Sequence, residues 1–358
     1  MLTPVFSLYL DLARFGAAFV VAMSHVWPML FPEHPLPWPG HDAVVIFFVL
    51  SGLVIAHATD RPDRTFSIYI QHRAARIGSV AIPALLLSMA IAPAIPSDIT
   101  IYAAPVIADS HEFWTRLALN AVFLGQSWSL DLSPPINAPY WSLNFEIWYY
   151  VFYGVWTYCA LRWKVPLALL AALIAGPKIL MLMPIWYLGV AIYRIKFLFS
   201  ERVALLLFVA TIVGGLAYFW FDISILIRSK MIALWPGFMA TLHGSNQFVG
   251  DTLLGLIVAT NFVAASRLSN NMRHILRFQR PIKFASSFTF STYLYHMPMF
   301  SFLWGVANFR SPLLILPLLA LGVAVLGQFT ERQLPVCRRM LERAPIWPLI
   351  DKQRRLQS

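Results

Sequence analysis

A histidine, an arginine and an aspartate lie within the first long apolar segment, LDLARFGAAFVVAMSHVW. At about 100° per residue, the step from Arg14 to His25 leaves both side chains within about 20° of one helical face and about 16 Å apart. Asp11 lies about 40° from that face. Histidine accepts protons near neutral pH, so His25 is a candidate general base and Arg14 a candidate catalytic cation. The alternative is a structural Asp11–Arg14 pair and a hydrogen-bonded buried histidine.

The second apolar segment opens with GHDAVVIFFVLSG and carries His41 and Asp42 at its outer end. A carboxylate behind an imidazole ring fixes the orientation of that ring in acid–base sites, so Asp42 is a candidate catalytic residue. The alternative is a hydrated helix start, in which Asp42 is an anion near the positive end of the helix dipole. This plainer interpretation fits His41 better than it fits Asp42.

Two arginines three residues apart follow the second segment, in the sequence QHRAAR. Side chains at this spacing are neighbours on one helical face, and two guanidinium groups suit a phosphate-bearing ligand. We therefore predict that Arg73 and Arg76 bind a phosphorylated donor from a cytoplasmic loop. The alternative is that they only set the topology, because cytoplasmic loops accumulate arginine.

A polar stripe runs along the fourth apolar segment, YWSLNFEIWYYVFY. Ser142, Glu146, Tyr149, Tyr150 and Tyr153 follow the spacing of one helical face. A carboxylate within a membrane span needs a partner or a water-filled cavity. We interpret Glu146 as catalytic and the three tyrosines as the wall of a cavity that binds sugar hydroxyls. The alternative is that the stripe holds helices together through hydrogen bonds.

The ninth apolar segment contains FSTYLYHMPMF, in which His296 precedes the helix-perturbing Pro298. His296 is a candidate substrate-binding residue in the membrane. A structural role for this histidine is the favoured alternative.

Composition indicates that all of these residues belong to a membrane protein. The chain has 358 residues, of which 59% are hydrophobic and 12% charged, and its mean hydropathy is +0.67. Soluble domains average roughly 45–50% apolar and about 25% charged residues, so a soluble enzyme, a disordered chain and a fibrous repeat are excluded. We predict an all-α integral membrane protein whose residues 1–358 form one domain without an appended soluble domain. Cys159 and Cys337 are expected to form no disulfide.

Ten apolar segments are long enough, or nearly so, to cross a bilayer. They cover residues 8–30, 43–59, 78–96, 140–161, 165–181, 183–196, 203–221, 249–266, 285–306 and 312–330. The fifth and sixth segments are joined at Pro184. Segment 113–130 contains Arg116, Asn120 and Gln126 and is interpreted as an interfacial or re-entrant helix.

Basic residues set the predicted orientation. With a cytoplasmic N-terminus, 21 of the 27 Lys and Arg residues fall in inside segments, 5 fall in outside segments, and Arg14 lies within the first span. Cytoplasmic loops carry such an excess, so ten helices with both termini inside are predicted. Counting segment 113–130 as a span would reverse every later loop and remove the asymmetry.

Seven short motifs occur in order along nearly the whole chain. They are LDLARFGAAFVVAMSH, HDAVVIFFVLSG, HRAAR, WSLNFEIWYY, WYLGVAIYR, STYLYHMP and FTERQLP. In this order they resemble the membrane-bound acyltransferase 3 family, especially its members that O-acylate sugars of exopolysaccharides and lipopolysaccharides. Two positions depart from the family pattern: Val45 replaces an acidic residue before the Phe-Phe pair, and Ile147 replaces a second acid after Glu146.

The resemblance implies transfer of an acyl group, most often acetyl, from cytoplasmic acyl-CoA to a carbohydrate hydroxyl at the inner membrane. In that case His25 would deprotonate a hydroxyl, Arg14 would hold the donor or polarise its carbonyl, and no metal would be required. Glycan-assembly proteins are expected partners, and nucleic acid is not. The rival hypothesis is a transporter or flippase for a lipid-linked glycan, because intramembrane charges and an aromatic cavity suit that function too.

Overall fold

The structure, a computed structural model, describes residues 2–34, 36–60, 65–99, 101, 110–195 and 199–343. These residues form helices and connecting turns, with no β-strand among them. In chain order the helices are α1 Pro4–Leu30, α2 Gly40–Thr59, α3 Phe66–Ile91, α4 Ser110–Ala121, α5 Trp141–Tyr158, α6 Leu161–Ala175, α7 Pro177–Arg194, α8 Glu201–Trp220, α9 Ile223–Leu234, α10 Pro236–Thr241, α11 Phe248–Arg267, α12 Gln279–Ser286, α13 Thr289–Ser301, α14 Pro312–Phe329 and α15 Leu334–Glu342.

Several of these helices identify a multi-pass membrane protein. Within the described part of the chain, six helical stretches are long and apolar enough to cross a bilayer. They are Pro4–Leu30, Gly40–Thr59, Phe66–Ala94, Glu201–Trp220, Phe248–Asn270 and Pro312–Glu342. The all-α class is therefore confirmed, while ten spans with both termini inside remain a prediction. The sixth predicted segment ends at residue 196, and the chain ends at residue 358. Both residues lie outside the part of the chain that the structure describes.

The predicted break at Pro184 was misplaced. Pro184 lies inside α7, and the chain turns at Gly176 instead. Gly176 has φ 80° and ψ 172°, a conformation that is open to glycine because it has no Cβ atom. Pro177 then occupies the first position of α7, where its missing N–H costs no helical hydrogen bond.

Helix α3 begins earlier than the third predicted segment. The side chain of Thr65 accepts a hydrogen bond from the backbone N–H of Ile68 at 3.3 Å and caps the helix at Phe66. Arg73 and Arg76 therefore lie within a candidate membrane span and not in the loop that we predicted.

The segment 113–130 contains the end of a short helix. Helix α4 ends at Ala121, and its 12 residues extend about 18 Å, less than the hydrocarbon thickness of about 30 Å. Arg116 donates to Glu112 and to the carbonyl of Ser133, so its charge is paired locally. The helix is too short to cross a bilayer by itself.

The Cα packing divides the chain into two compact units. The first unit comprises residues Met1–Val21, Trp38–Asp60 and Gly176–Thr289. Helices α2 and α7 pack closely within it because Gly52 and Gly189 remove side chains from their interface. A Cβ atom at Gly189 would overlap the backbone of Val49, and a Cβ atom at Gly52 would overlap the backbone of Trp186.

We expect Gly189→Ala to destabilise the protein by about 1–3 kcal/mol, the usual cost of overpacking. Backbone atoms of α2 block the new methyl group, so the helices must separate. Gly214→Ala is the matched control, because a Cβ atom there meets nothing within 4 Å. Thermal unfolding in one detergent measures both variants, and equal stability of Gly189→Ala and wild type would contradict this packing.

The second unit comprises residues Ala22–Pro37, Arg61–Ala175 and Phe290–Ser358. Its described core includes a cluster of Ile91, Ile95, Ile101, Ile136 and Met297. The end of α1 and the helix α13 both belong to this unit, which therefore holds two of the predicted site residues, His25 and His296. Cys159 and Cys337 are free thiols.

The predicted topology has its own test. Reporter fusions after Ser110 and after Ser358 are expected to report opposite sides of the membrane, because the distribution of basic residues places only the second position in the cytoplasm. Signals from the same side would make segment 113–130 a span or change the order of the spans elsewhere.

Candidate active site

Two histidines from distant parts of the chain meet in the second unit. His25 lies in the C-terminal part of α1, and His296 lies in α13, 271 residues further along the chain. The Nδ1 atom of His25 and the Nε2 atom of His296 are 3.2 Å apart, and the ring centroids are 5.3 Å apart. The two side chains that the sequence placed in separate roles therefore form a hydrogen-bonded pair.

The second nitrogen of His296 determines which atoms of the pair carry protons. Its Nδ1 lies 2.8 Å from the backbone carbonyl of Thr292, which can only accept, so Nδ1 carries a proton. In a neutral imidazole the Nε2 of His296 is then an acceptor, and the Nδ1 of His25 is its donor. The remaining lone pair of His25 is therefore on Nε2, as a general base requires.

Burial separates the roles of the two rings. His296 is 1% exposed, whereas His25 is half-buried. A fully buried ring behind a more accessible one is placed to orient its neighbour, in the way that a buried carboxylate orients a catalytic histidine. His296 was predicted as a substrate-binding residue, and its burial suits a positioning role better.

Arg14 and Asp11 form the ion pair that the plainer interpretation expected. Arg14 Nη2 donates to Asp11 Oδ1 at 2.9 Å, and both side chains are about a quarter exposed. Arg14 lies in the first unit, one turn from Asp11 and three turns before His25 on the continuous helix α1. Its charge is therefore partly matched within the helix.

Helix α11 provides a carboxylate partner for His41. The carboxylate of Asp251 is 1% exposed, and its oxygens lie 3.0 and 3.2 Å from His41 Nε2. Asp42 was the predicted orienting carboxylate, and its side chain instead borders a cavity in the same unit. His41, which we had interpreted as part of a hydrated helix start, has the oriented ring.

The two arginines of α3 have different surroundings. Arg76 Nη2 lies 3.1 Å from Glu331, whose side chain is 4% exposed. Glu331 also accepts hydrogen bonds from the N–H and hydroxyl of Ser291, at 2.8 and 3.0 Å. The guanidinium of Arg76 also lies 5.3 Å from the ring centroid of Phe290. Arg76 thus links α3 to the start of α13 within the second unit.

Arg73 borders a cavity of about 410 Å³ between α3 and α5. Its guanidinium carbon lies 5.8 Å from the ring centroid of Tyr150, within reach of a cation–π interaction. The hydroxyl of Tyr150 donates to Glu146 at 2.5 Å. Tyr150 therefore contacts both Arg73 and Glu146. The other residues that line this cavity, such as Phe66 and Val155, are mostly apolar.

Only one of the three tyrosines that we predicted to line a cavity does so. Tyr150 borders the Arg73 cavity, whereas Tyr149 and Tyr153 are buried in helix packing. The ring of Tyr153 lies 6.4 Å from that of Tyr69, whose hydroxyl donates to the backbone carbonyl of Tyr150. Ser142, at the start of the stripe, is hydrogen-bonded to the hydroxyl of Tyr293 at 2.6 Å. Much of this stripe holds helices together.

Sequence reasoning missed the two buried carboxylates, Asp251 and Glu331. Each lies at an end of an apolar segment, where an ionisable residue signals a partner or a function. Among the residues that the structure describes, no group of three or more His, Cys, Asp or Glu side chains is placed to hold a metal ion.

Comparison with known proteins places the chain among acyltransferases. A family model described as an acyltransferase domain matches residues 7–328. The O-acetyl transferase of Shigella phage Sf6 is 29% identical over 154 residues, which are 40% of this chain and 44% of the phage protein. The match thus spans less than half of that relative. No solved structure matches the chain.

Proposed function

The chain belongs to this acyltransferase family, and we propose that it moves an acyl group, most often acetyl, from cytoplasmic acyl-CoA to a hydroxyl of a cell-surface or lipid-linked carbohydrate at the inner membrane. The hydrogen-bonded pair of His25 and His296 carries this proposal, because it prepares a proton-accepting nitrogen within a membrane protein. The phage O-acetyl transferase supports acetyl as the group transferred.

The proposed reaction begins at the Nε2 atom of His25, which takes the proton from the acceptor hydroxyl. The hydroxyl oxygen attacks the thioester carbonyl of the donor and forms a new C–O bond. The C–S bond then breaks, and the thiolate of CoA leaves with the proton that His25 had accepted. No atom or electron beyond the two substrates is needed, and His25 returns to its starting state.

His296 serves as a positioning residue in this reaction. It accepts a hydrogen bond from Nδ1 of His25, while its own Nδ1 donates to Thr292. When His25 is protonated, that hydrogen bond becomes charge-assisted and stronger. The pair therefore favours both the correct tautomer before proton transfer and the imidazolium after it.

Arg73 is proposed to contact the donor. Its guanidinium borders a cavity that Tyr150 also lines, and its charge suits the phosphates of CoA. Arg76 is assigned to hold α3 against Glu331. Arg14 remains a candidate for holding the donor, and Asp42 and Glu146 remain candidate catalytic residues.

Turnover of the donor separates this proposal from the flippase hypothesis. Purified protein in phosphatidylcholine nanodiscs is incubated with acetyl-CoA and a glycan extract, and free CoA is measured with a thiol reagent. An enzyme releases CoA in proportion to the protein added, and His25→Ala does not. A protein that binds the glycan but releases no CoA above the nanodisc background would support transport and overturn the proposal.

A further inference from the structure

The first unit contains a polar end at which the reaction steps described above place no substrate. His41 and Asp251 are paired there, and Asp42 is the next residue after His41 on α2. The Oδ1 atom of Asp42 is buried and makes no hydrogen bond in the structure. A carboxylate oxygen in this state costs free energy unless a hydrogen-bond donor reaches it.

Asp42 borders a cavity of about 410 Å³ that we call the Asp42 cavity, formed by α1, α2, α8 and α11. This volume is typical of a small-molecule site. Tyr9 and Val20 both line it from α1, so it extends about 16 Å along that helix. At the end away from Asp42, Tyr9 donates to Asn261, and Asn261 donates to Thr211.

Apolar side chains form the rest of the Asp42 cavity, and one wall reaches the outside of the unit. Ile212 and Leu216 line it from α8 and are 46% and 66% exposed. Since α8 is a candidate membrane span, this wall opens towards lipid. A long apolar cavity that opens to lipid suits an alkyl or isoprenoid chain.

The charge at the polar end limits the head group of such a ligand. A carboxylate accepts hydrogen bonds from hydroxyl groups and repels a phosphate placed beside it. The buried Asp251 adds a second negative charge, which the pairing with His41 offsets in part. A hydroxyl-bearing head is therefore favoured over a phosphate at this position.

We propose that the Asp42 cavity binds the lipid chain of the acyl acceptor, with a hydroxyl of its sugar head donating to Asp42. The inference rests on the proposed function, and it names the acceptor as a lipid-linked carbohydrate. The cavity would hold the acceptor by its lipid chain. Discrimination between acceptors would then depend on both the lipid chain and the sugar head.

Photolabelling in nanodiscs tests the site with defined probes. Dodecyl β-glucoside and dodecyl phosphate, each with a diazirine in the middle of the chain, are irradiated with the full-length protein and the labelled peptides are identified. The glucoside is expected to label α1 and α8 peptides roughly tenfold more than the phosphate does, the factor that one charge-assisted hydrogen bond provides. Asp42→Asn is expected to remove most of this preference.

Two neighbouring glycines of α8 give a matched pair of variants. A Cβ atom at either Gly214 or Gly215 meets nothing within 4 Å, but only Gly215 lines the Asp42 cavity. Gly215→Leu should fill the cavity and lower glucoside labelling several-fold, and Gly214→Leu should not. Unchanged labelling in Gly215→Leu, or equal labelling by both probes, would show an ordinary lipid contact and overturn the inference.

Acetyl-CoA turnover on the same samples separates this inference from the proposed function. Specific glucoside labelling without CoA release would support the lipid site and overturn acyl transfer. CoA release without specific labelling would support acyl transfer and overturn the lipid site.

Discussion

Replacing His25 with alanine is expected to lower the rate of acyl transfer by about 10²–10⁴-fold, the usual contribution of a general base. The protein should insert and unfold nearly like wild type, because the His25 ring is only half-buried and its removal leaves the fully buried core residues in place. Initial rates of CoA release and thermal unfolding of the same preparation check both parts. Normal transfer by a correctly inserted His25→Ala variant would mean that another residue is the base.

Variants of His296 give a more specific test of the histidine pair. His296→Ala removes the acceptor for Nδ1 of His25 and should cost about 10–100-fold in rate, the range seen when a group that orients a metal-bound histidine is removed. His296→Gln offers a side-chain carbonyl in its place and should recover part of the rate. The pH profile of His296→Ala should also shift, because the imidazolium of His25 loses its partner. A loss of stability with an unchanged pH profile would make His296 merely structural.

Replacing Arg73 with alanine is expected to lower CoA affinity, whereas replacing Arg76 with alanine is expected to lower stability. A charge-assisted hydrogen bond contributes about 1.5–3 kcal/mol, or roughly 10- to 100-fold in affinity. Arg73→Ala should weaken CoA binding by about this factor and leave stability unchanged. Arg73→Lys should retain only part of the CoA affinity, because lysine keeps the charge and loses the bidentate geometry. Calorimetry with CoA measures both variants, and unchanged affinity in Arg73→Ala would remove it from the donor site.

Arg76→Ala should instead lower stability, by about 1–3 kcal/mol, because it leaves the buried Glu331 without its cation. The loss stays in this range because Glu331 keeps its hydrogen bonds to Ser291. Combining Arg76→Ala with Glu331→Gln should restore part of the stability, since no buried charge is then left alone. Additive effects of the two substitutions would contradict a direct ion pair.

Helical spacing predicted neighbours within one helix and could not predict partners on other helices. The Asp11–Arg14 pair follows from a three-residue spacing. The contact between His25 and His296 joins residues 271 positions apart, and His41 meets Asp251 across 210 positions. Such pairs depend on how helices pack, which no local period encodes.

Local chemistry also explains the boundary errors. Pro184 suggested a break because proline removes a backbone donor, yet α7 continues through it. Gly176 was the stronger signal, since its positive φ ends α6 and Pro177 starts α7. Thr65 likewise marked the start of α3, which placed Arg73 and Arg76 inside a helix.

Mass spectrometry of surface glycans tests the central claim most directly. Glycans are prepared from a strain that lacks this gene and from the same strain complemented with wild type or with His25→Ala, each at equal protein level. We predict ester-linked acyl groups, mainly acetyl, with the wild-type gene and their loss in the other two strains. Identical ester content in all three strains would contradict acyl transfer to a carbohydrate by this protein.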